Sequence, residues 1–285
     1  MITVTGATGA LNGATVDHLL QHLPAGELTV VVRDPARAQR FADVGVAVRR
    51  AGYDDPAAMR AAFEGADQLL LVSSNDRGAD AVALHRSALD AAVAAGVGRV
   101  LYTSHQGAHA DSPVAPARVH RATEDLLAAS GLPWTSLRNG FYAHSLDWLT
   151  GPWRETGVVT VPADGPVSWT AREDAAEAAA AVLLFAGRFD GPVTLTATAA
   201  PTFAEVADQA AEVAGRPVEL AVVGEEAWLD AQRAAGQPDP VAQFTLGIFR
   251  AAEQGLFAGT DPLLAVLLGR EPRSARDQLS APAAR

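Results

Sequence analysis

The chain contains no cysteine, which excludes disulfides, thiolate metal sites, iron–sulfur clusters and cysteine nucleophiles, and removes any pointer to an oxidising compartment. Long apolar runs are missing as well. The most apolar stretch, residues 175–186, is too short and too interrupted by charge to span a bilayer, so no membrane association is expected. No basic run offsets the balance of 33 acidic against 22 basic residues, a formal charge of −11. Such a chain repels phosphate backbones, and nucleic acid is not expected as a partner. The opening Met1-Ile2-Thr3-Val4-Thr5 enters a β pattern without the basic and apolar regions of a signal peptide, which leaves a cytoplasmic protein as the expectation. The seven histidines form no helical His-x-x-x-His pair with a supporting glutamate, so no metal is expected. There is no internal repeat, and nothing in the sequence specifies an oligomeric state.

What is present is material for a large core, with 49% hydrophobic residues in 285, arranged in alternation. Short β-branched runs at residues 2–5, 28–32, 46–50, 68–72, 99–103 and 134–138 are separated by longer Ala-rich helical patterns, the signature of βαβ units and a mainly parallel sheet. Asp34-Pro35 and Asp55-Pro56 each place a capping carboxylate before a proline at the first helical position, where its missing N–H costs nothing. Gly45, Gly65, Gly96 and Gly131 follow the helical stretches and close them. The fold class expected is α/β, a Rossmann-type doubly wound, mainly parallel sheet with a smaller, mostly helical C-terminal lobe. Residues 1–140 are expected to form the Rossmann core, 141–170 a segment roofing the crevice, 171–196 a helix and strand returning to the core, and 197–285 the smaller lobe and tail. A further strand is expected at 193–196 and a short one at 218–222. The Ala/Pro stretch after Arg270 reads as a mobile end.

Ligand crevices in such sheets lie beyond the carboxyl ends of the strands. There the sequence reads Gly6-Ala7-Thr8-Gly9-Ala10-Leu11-Asn12, directly after the first strand and opening a helix. Gly6 permits the tight turn, and Gly9 removes a side chain so that backbone N–H groups and the positive end of the helix can approach a pyrophosphate. A third glycine, three residues after the second, normally lets helix and strand pack closely. Here that place is taken by Asn12, which either displaces the helix or turns its amide toward a cofactor, with Gly13 as partial compensation. At the end of the second strand, an Asp or Glu would accept hydrogen bonds from the 2′-hydroxyl of NAD. Arg33 stands there instead, and a guanidinium in that position pairs with the 2′-phosphate of NADP, so NADPH is the expected cofactor; an ordinary surface arginine is the alternative.

With T-G-A-T-G, V-R-D-P-A-R-A, L-L-L-V-S-S at 69–74, Y-T-S at 102–104 and L-R-N-G-F-Y at 137–142, the chain resembles the atypical short-chain dehydrogenase/reductases of the NmrA-like group, and within it the bacterial NADPH-dependent quinone oxidoreductase 2 proteins. The resemblance implies that Ser73, Ser74 and Asn75 lie along the ribose and pyrophosphate, that Thr103 and Ser104 border the nicotinamide, and that Leu137, Arg138, Asn139, Gly140, Phe141 and Tyr142 cover the nicotinamide side.

The wider superfamily uses a Tyr-x-x-x-Lys pair on a helix as proton donor and its support. The corresponding helix here reads His120-Arg121-Ala122-Thr123-Glu124, so both are missing. His120 is the candidate acid by position, with Glu124 one turn below to hold its tautomer, and Tyr142 is the next choice. His105, Phe141 and Trp148 are candidate substrate residues. Trp153 and Trp169 share the aromatic segment from which a flat wall for a quinone or aryl ketone could come, with core packing as the alternative. Arg172 and Asp174 read as structural residues at a helix start. Hydride delivery to a quinone forms a stabilised phenolate that water can protonate, so a positioned acid matters less than for a simple ketone. The expected function is therefore hydride transfer from NADPH to a quinone or activated carbonyl substrate. The alternative is a non-catalytic NADP(H)-binding redox sensor, and reduction of a simple ketone or imine would require His120 or Tyr142 to donate a proton.

Overall fold

Parallel strands buried on both faces must be apolar almost throughout, and the first two are: Ile2–Thr5 (β1) and Leu28–Val32 (β2) are buried at every position. The computed structural model describes residues 1–76, 78–185 and 189–281. In chain order its helices and longer strands are β1, Ala10–Leu19 (α1), β2, Gln39–Ala42 (α2), Ala47–Arg50 (β3), Pro56–Phe63 (α3), Gln68–Leu71 (β4), Ala81–Ala94 (α4), Arg99–His105 (β5), Ala115–Ala129 (α5) and Trp134–Asn139 (β6). Then come Phe141–Tyr142 (β7), Leu146–Leu149 (α6), Trp153–Thr156 (α7), Val158–Val161 (β8), Trp169–Thr170 (β9), Arg172–Leu184 (α8), Gly191–Leu195 (β10), Phe203–Ala214 (α9), Glu219–Val222 (β11), Glu225–Ala234 (α10), Asp239–Glu253 (α11), Leu263–Leu268 (α12) and Ala275–Ser280 (α13).

The central sheet is parallel and seven-stranded, in the order β10-β6-β5-β4-β1-β2-β3. Successive crossovers run outward in one direction from β1 and in the other from β4. The carboxyl ends of these two neighbours, paired Ile2 to Gln68 and Val4 to Leu70, therefore form the switch point at which a crevice opens. The expected helix punctuation is present. Asp55 accepts from the Ala58 N–H at 3.0 Å at the head of α3, and Asp34 accepts from Ala36 at 3.1 Å, where Pro35 opens a 3₁₀ turn rather than a longer helix. Gly45, Gly65, Gly96 and Gly131 all lie at positive φ.

The chain divides into two compact units. One comprises Met1–Ala110, Arg118–Arg138 and Ala175–Val193; the other comprises Asp111–Ala117, Asn139–Asp174 and Thr194–Arg285. The core of the first is built from Met59, Phe63, Leu69, Leu71, Tyr102 and Leu127 and their neighbours. The second is helix-rich, with two small parallel pairs, β8 with β11 and β7 with β9. The strands at 141–142, 158–161 and 169–170 are absent from the sequence reading, because two- and four-residue strands among prolines leave too little periodicity to detect.

In the second unit one open alternative is decided and one expectation is corrected. Trp153 and Trp169 are 2% and 1% exposed inside its core, where Trp169 meets Phe203 edge-on at 5.8 Å. They are packing residues and form no wall for a ligand. The stretch after Arg270 is also no loose end: the fully buried Asp174 carboxylate binds Arg270 at 2.9 Å, the guanidinium of Arg273, and the Arg273 backbone N–H at 2.6 Å. A Ser274–Asp277 capping box then starts α13, whose Ala275 and Leu279 are buried. Residues 282–285 of the expected tail lie outside the described residues. Among those described, no helix is long and apolar enough to cross a membrane.

Candidate functional site

Backbone geometry at the switch point is set by Gly6. Its φ of +64° is in the left-handed region, and a Cβ there would stand 2.5 Å from Val72 Cγ1 on the neighbouring strand end. Glycine alone meets both conditions. The turn it makes is closed by the Gly9 N–H donating to Gly6 O at 2.9 Å, and Gly9 becomes the N-cap of α1 with no side-chain cap and no acid in the first turn. The opening N–H groups of α1 thus face outward uncapped beside the exposed Thr8 and Ala10, at the positive end of the helix.

Asn12 is turned inward. Its Nδ2 donates to Thr5 O at 2.8 Å, the residue is 1% exposed, and its Oδ1 has no partner. The expectation that this amide turns toward a cofactor is therefore corrected: only the backbone N–H of Asn12 remains for a ligand, while the side chain ties the helix to the end of β1. Close approach of helix to loop has passed to Gly13, where a Cβ would lie 2.8 Å from Ala7 O.

Arg33 follows β2 as expected and is exposed, with Nη1 at 2.9 and 3.0 Å from the two carboxylate oxygens of Asp76. The chain beyond β4 is held through its backbone from Val72 to Ser74. The Val72 N–H donates to Thr5 Oγ1 at 2.8 Å, Tyr53 donates to Val72 O at 2.9 Å, Ser73 N–H to Thr103 Oγ1 at 2.9 Å and Ser74 N–H to His85 Nε2 at 2.7 Å. His85 is fully buried and its Nδ1 lies 2.7 Å from Thr123 Oγ1, whose own proton goes to Val119 O at 2.9 Å. The network therefore puts the ring proton on Nδ1 and leaves Nε2 as acceptor. Burial lowers the His85 pKa to about 4, so this tautomer holds at neutral pH. Tyr53, His85 and Thr123 escaped the sequence reading. The one available signal was His85 on the buried face of α4 with Ala88, Leu89 and Ala92, where a histidine needs buried partners.

At the end of β5, Thr103 and Ser104 are 3% and 4% exposed. Ser104 Oγ donates to Glu124 Oε1 at 2.9 Å, which also accepts from Ser136 at 2.7 Å and from Arg138 Nε at 2.9 Å, while Arg138 Nη2 reaches Oε2 at 2.5 Å. Burial pushes this carboxyl up, but the bonds from Arg138 and the serines outweigh it and hold it below the usual glutamate value. Glu124 consequently does not orient His120, which corrects that expectation, and Ser104 has its proton committed. His120 Nδ1 instead meets the Tyr102 hydroxyl at 2.9 Å, and its ring stacks on that of His105 at 6.3 Å. Burial, with the neighbouring His105 and His85, takes His120 to about 3, and burial takes His105 to about 4.

The L-R-N-G-F-Y motif is divided between the units. Leu137 is fully buried, so its side chain is core and reaches no ligand; Arg138 serves Glu124. In the second unit, Asn139 is 2% exposed, donates Nδ2 to Tyr142 Oη at 3.3 Å and leaves Oδ1 without a partner. Gly140 packs so closely that a Cβ would meet Thr170 Oγ1 at 2.0 Å. Phe141 lies against Phe257 at 5.0 Å. Tyr142, raised above the usual phenol value by burial, stacks on His144, which contacts Arg172. Trp148 is 48% exposed. Among the described residues, no group of three or more His, Asp or Glu side chains could hold a metal ion.

A dinucleotide fits the first unit's residues: the Gly6 cradle excludes a Cβ, the α1 terminus is uncapped, and a guanidinium stands at the end of β2. A family model described as NAD(P)H-binding matches residues 6–184. The chain belongs to the NAD(P)H-binding, NmrA-like family. It is 34% identical over 282 residues to quinone oxidoreductase 2 of Escherichia coli, covering 98% of each chain. Among solved structures, NADPH-dependent quinone oxidoreductase from Escherichia coli, complexed with NADPH, superimposes with a TM-score of 0.90 at 32% identity, covering 98% of this chain and 99% of the other. Triphenylmethane reductase of Citrobacter sp., complexed with NADP(H), gives 0.88 at 32% identity with the same coverage. The chain is an NAD(P)H-binding oxidoreductase.

Proposed function

We propose that this chain is an NADPH-dependent reductase of the atypical short-chain dehydrogenase/reductase type, acting on quinones and, more slowly, on activated carbonyls. The observation that carries the proposal is the Gly6–Asn12 loop at the β1/β4 switch point, which presents an uncapped helix terminus one strand away from Arg33. In this reading the backbone N–H groups of the loop hold the pyrophosphate, Arg33 takes the 2′-phosphate, and the backbone-pinned Ser73–Asn75 segment borders the ribose. NADPH, when bound, supplies the hydride. Thr103, Ser104 and His105 at the end of β5 shape the nicotinamide side of the first unit.

The acceptor class follows from the protons that these residues do not release. Ser104 is committed to Glu124, and a histidine with a pKa of about 3 is neutral at pH 7 and a poor acid. Quinones suit such a site, because their reduced oxygen is stabilised by resonance and takes its proton from water. With His85 and His105 at about 4 and His120 at about 3, none of the three changes charge between about pH 5 and 8. The kcat/KM for a quinone is expected to stay flat over that range. An ionisation near pH 6–7 that disappears in His120→Phe would instead make His120 the proton donor.

The direct experiment is NADPH oxidation with a panel of quinones and aryl ketones. Cofactor binding without turnover across that panel would leave a sensor rather than an enzyme. Arg33→Ala is expected to weaken NADPH binding by about 10- to 100-fold, through loss of charge-assisted phosphate bonds, and NADH binding by less than about twofold. Equal affinities for the two cofactors in the parent protein would defeat the 2′-phosphate assignment.

A further inference from the structure

The guanidinium assigned to the 2′-phosphate already has an anionic partner. Both carboxylate oxygens of Asp76 lie within 3.0 Å of Arg33 Nη1, and the two side chains are 41% and 70% exposed. The pair is not an accident of two long, loose side chains. Asp76 ends a segment whose backbone is fixed from Val72 to Ser74 by Thr5, Tyr53, Thr103 and His85, and its own N–H donates to Ser74 Oγ at 3.3 Å. The short aspartate is thus presented by a held backbone, and the longer arginine reaches to it. On the other side the Arg33 stem passes Gly52, where a Cβ would lie 3.7 Å from Arg33 Cγ and 2.4 Å from Asp54 Oδ1.

We propose that Asp76 is a specificity-determining residue for the dinucleotide: it holds Arg33 when the 2′ position is unphosphorylated, and the 2′-phosphate must take Arg33 from it. This rests on the reading of Arg33 as the 2′-phosphate ligand. Phosphate binding at Arg33 draws the guanidinium away from Asp76 and sets a dianion within a few ångströms of its carboxylate, so like-charge repulsion opposes NADPH and not NADH. Both side chains are solvated, so the exchange needs no buried group to be uncovered and its cost is modest. Asp76 accordingly narrows the preference for NADPH by weakening NADPH alone.

The test is fluorescence titration of the full chain with NADPH and with NADH, using the parent, Asp76→Asn, Arg33→Ala and the double variant. Asp76→Asn is expected to tighten NADPH about 3- to 10-fold, with NADH within about twofold. Most of that gain is expected to vanish in the Arg33→Ala background. An unchanged NADPH-to-NADH ratio in Asp76→Asn, with Arg33→Ala still narrowing it, overturns the role of Asp76 and leaves the phosphate assignment standing. A gain equal in both backgrounds also overturns it, since simple repulsion without partner exchange would then suffice. If Arg33→Ala itself leaves the ratio unchanged, the underlying assignment has failed, and the proposal with it.

Discussion

An alanine at position 6 is expected to cost about 2–5 kcal/mol of stability and to weaken NADPH binding at least tenfold, from one added methyl group. Roughly 1–2 kcal/mol comes from forcing an L side chain into the left-handed region, and about 1–3 kcal/mol from overpacking, since the new Cβ would stand 2.5 Å from Val72 Cγ1. Relief requires Gly6 or Val72 to move, and Val72 carries the first backbone anchor of the Ser73–Asn75 segment. The defect should therefore appear twice, as a melting temperature lower by several degrees, at about 2–4 °C per kcal/mol, and as a weaker cofactor titration. An alanine variant that melts and binds like the parent would remove the switch-point loop from the binding site.

The second large effect belongs to Glu124. Truncation to alanine strips four hydrogen bonds at once and leaves the Arg138 guanidinium and two serine hydroxyls half-buried or buried without their acceptor. Breaking one side of such a buried pair costs about 3–5 kcal/mol, readable as a fall in the urea midpoint. Glu124→Gln keeps the shape and loses the charge, and it isolates the pH dependence. The carboxyl is held below its unfolded value of 4.5, so its contribution is fully present above that pH and is lost as the pH falls through the lower folded value. The stability gap between parent and Glu124→Gln should thus be widest at neutral pH and close under acid. A gap of constant size from pH 7 to pH 3 would contradict the linkage.

Much of the fold was legible because its signals are local. Asp34-Pro35, Asp55-Pro56 and the helix-closing glycines mark junctions with three or four residues each, and the buried runs of β1 and β2 announce a covered parallel sheet. The Gly6–Gly9 turn and the place of Arg33 after β2 were legible for the same reason, since a turn and a strand end fix their surroundings. Tertiary partners were not. The sequence offers Glu124 to His120 at helical spacing, yet Glu124 turns to Ser104, Ser136 and Arg138 on two strands. Those donors can neutralise a buried carboxylate, which a neutral imidazole cannot. Nor could it say that Asn12 bends back to Thr5, because the acceptor is a backbone carbonyl seven residues away. The fate of Asp174 likewise depended on two arginines about a hundred positions downstream.

The anchoring of the Ser73–Asn75 segment has a further consequence for variation. Its path is dictated by hydroxyl, phenol and imidazole groups belonging to Thr5, Tyr53, Thr103 and His85, all elsewhere in the chain, and every one of them grips main-chain atoms. The segment's own side chains contribute little to where it runs. Its shape is inherited from these anchors on Val72, Ser73 and Ser74, so a substitution of the Ser73 side chain is expected to leave the path of the segment unchanged. Position 73 is the natural place to diversify a library built on this scaffold, and the four anchors are the positions to leave alone.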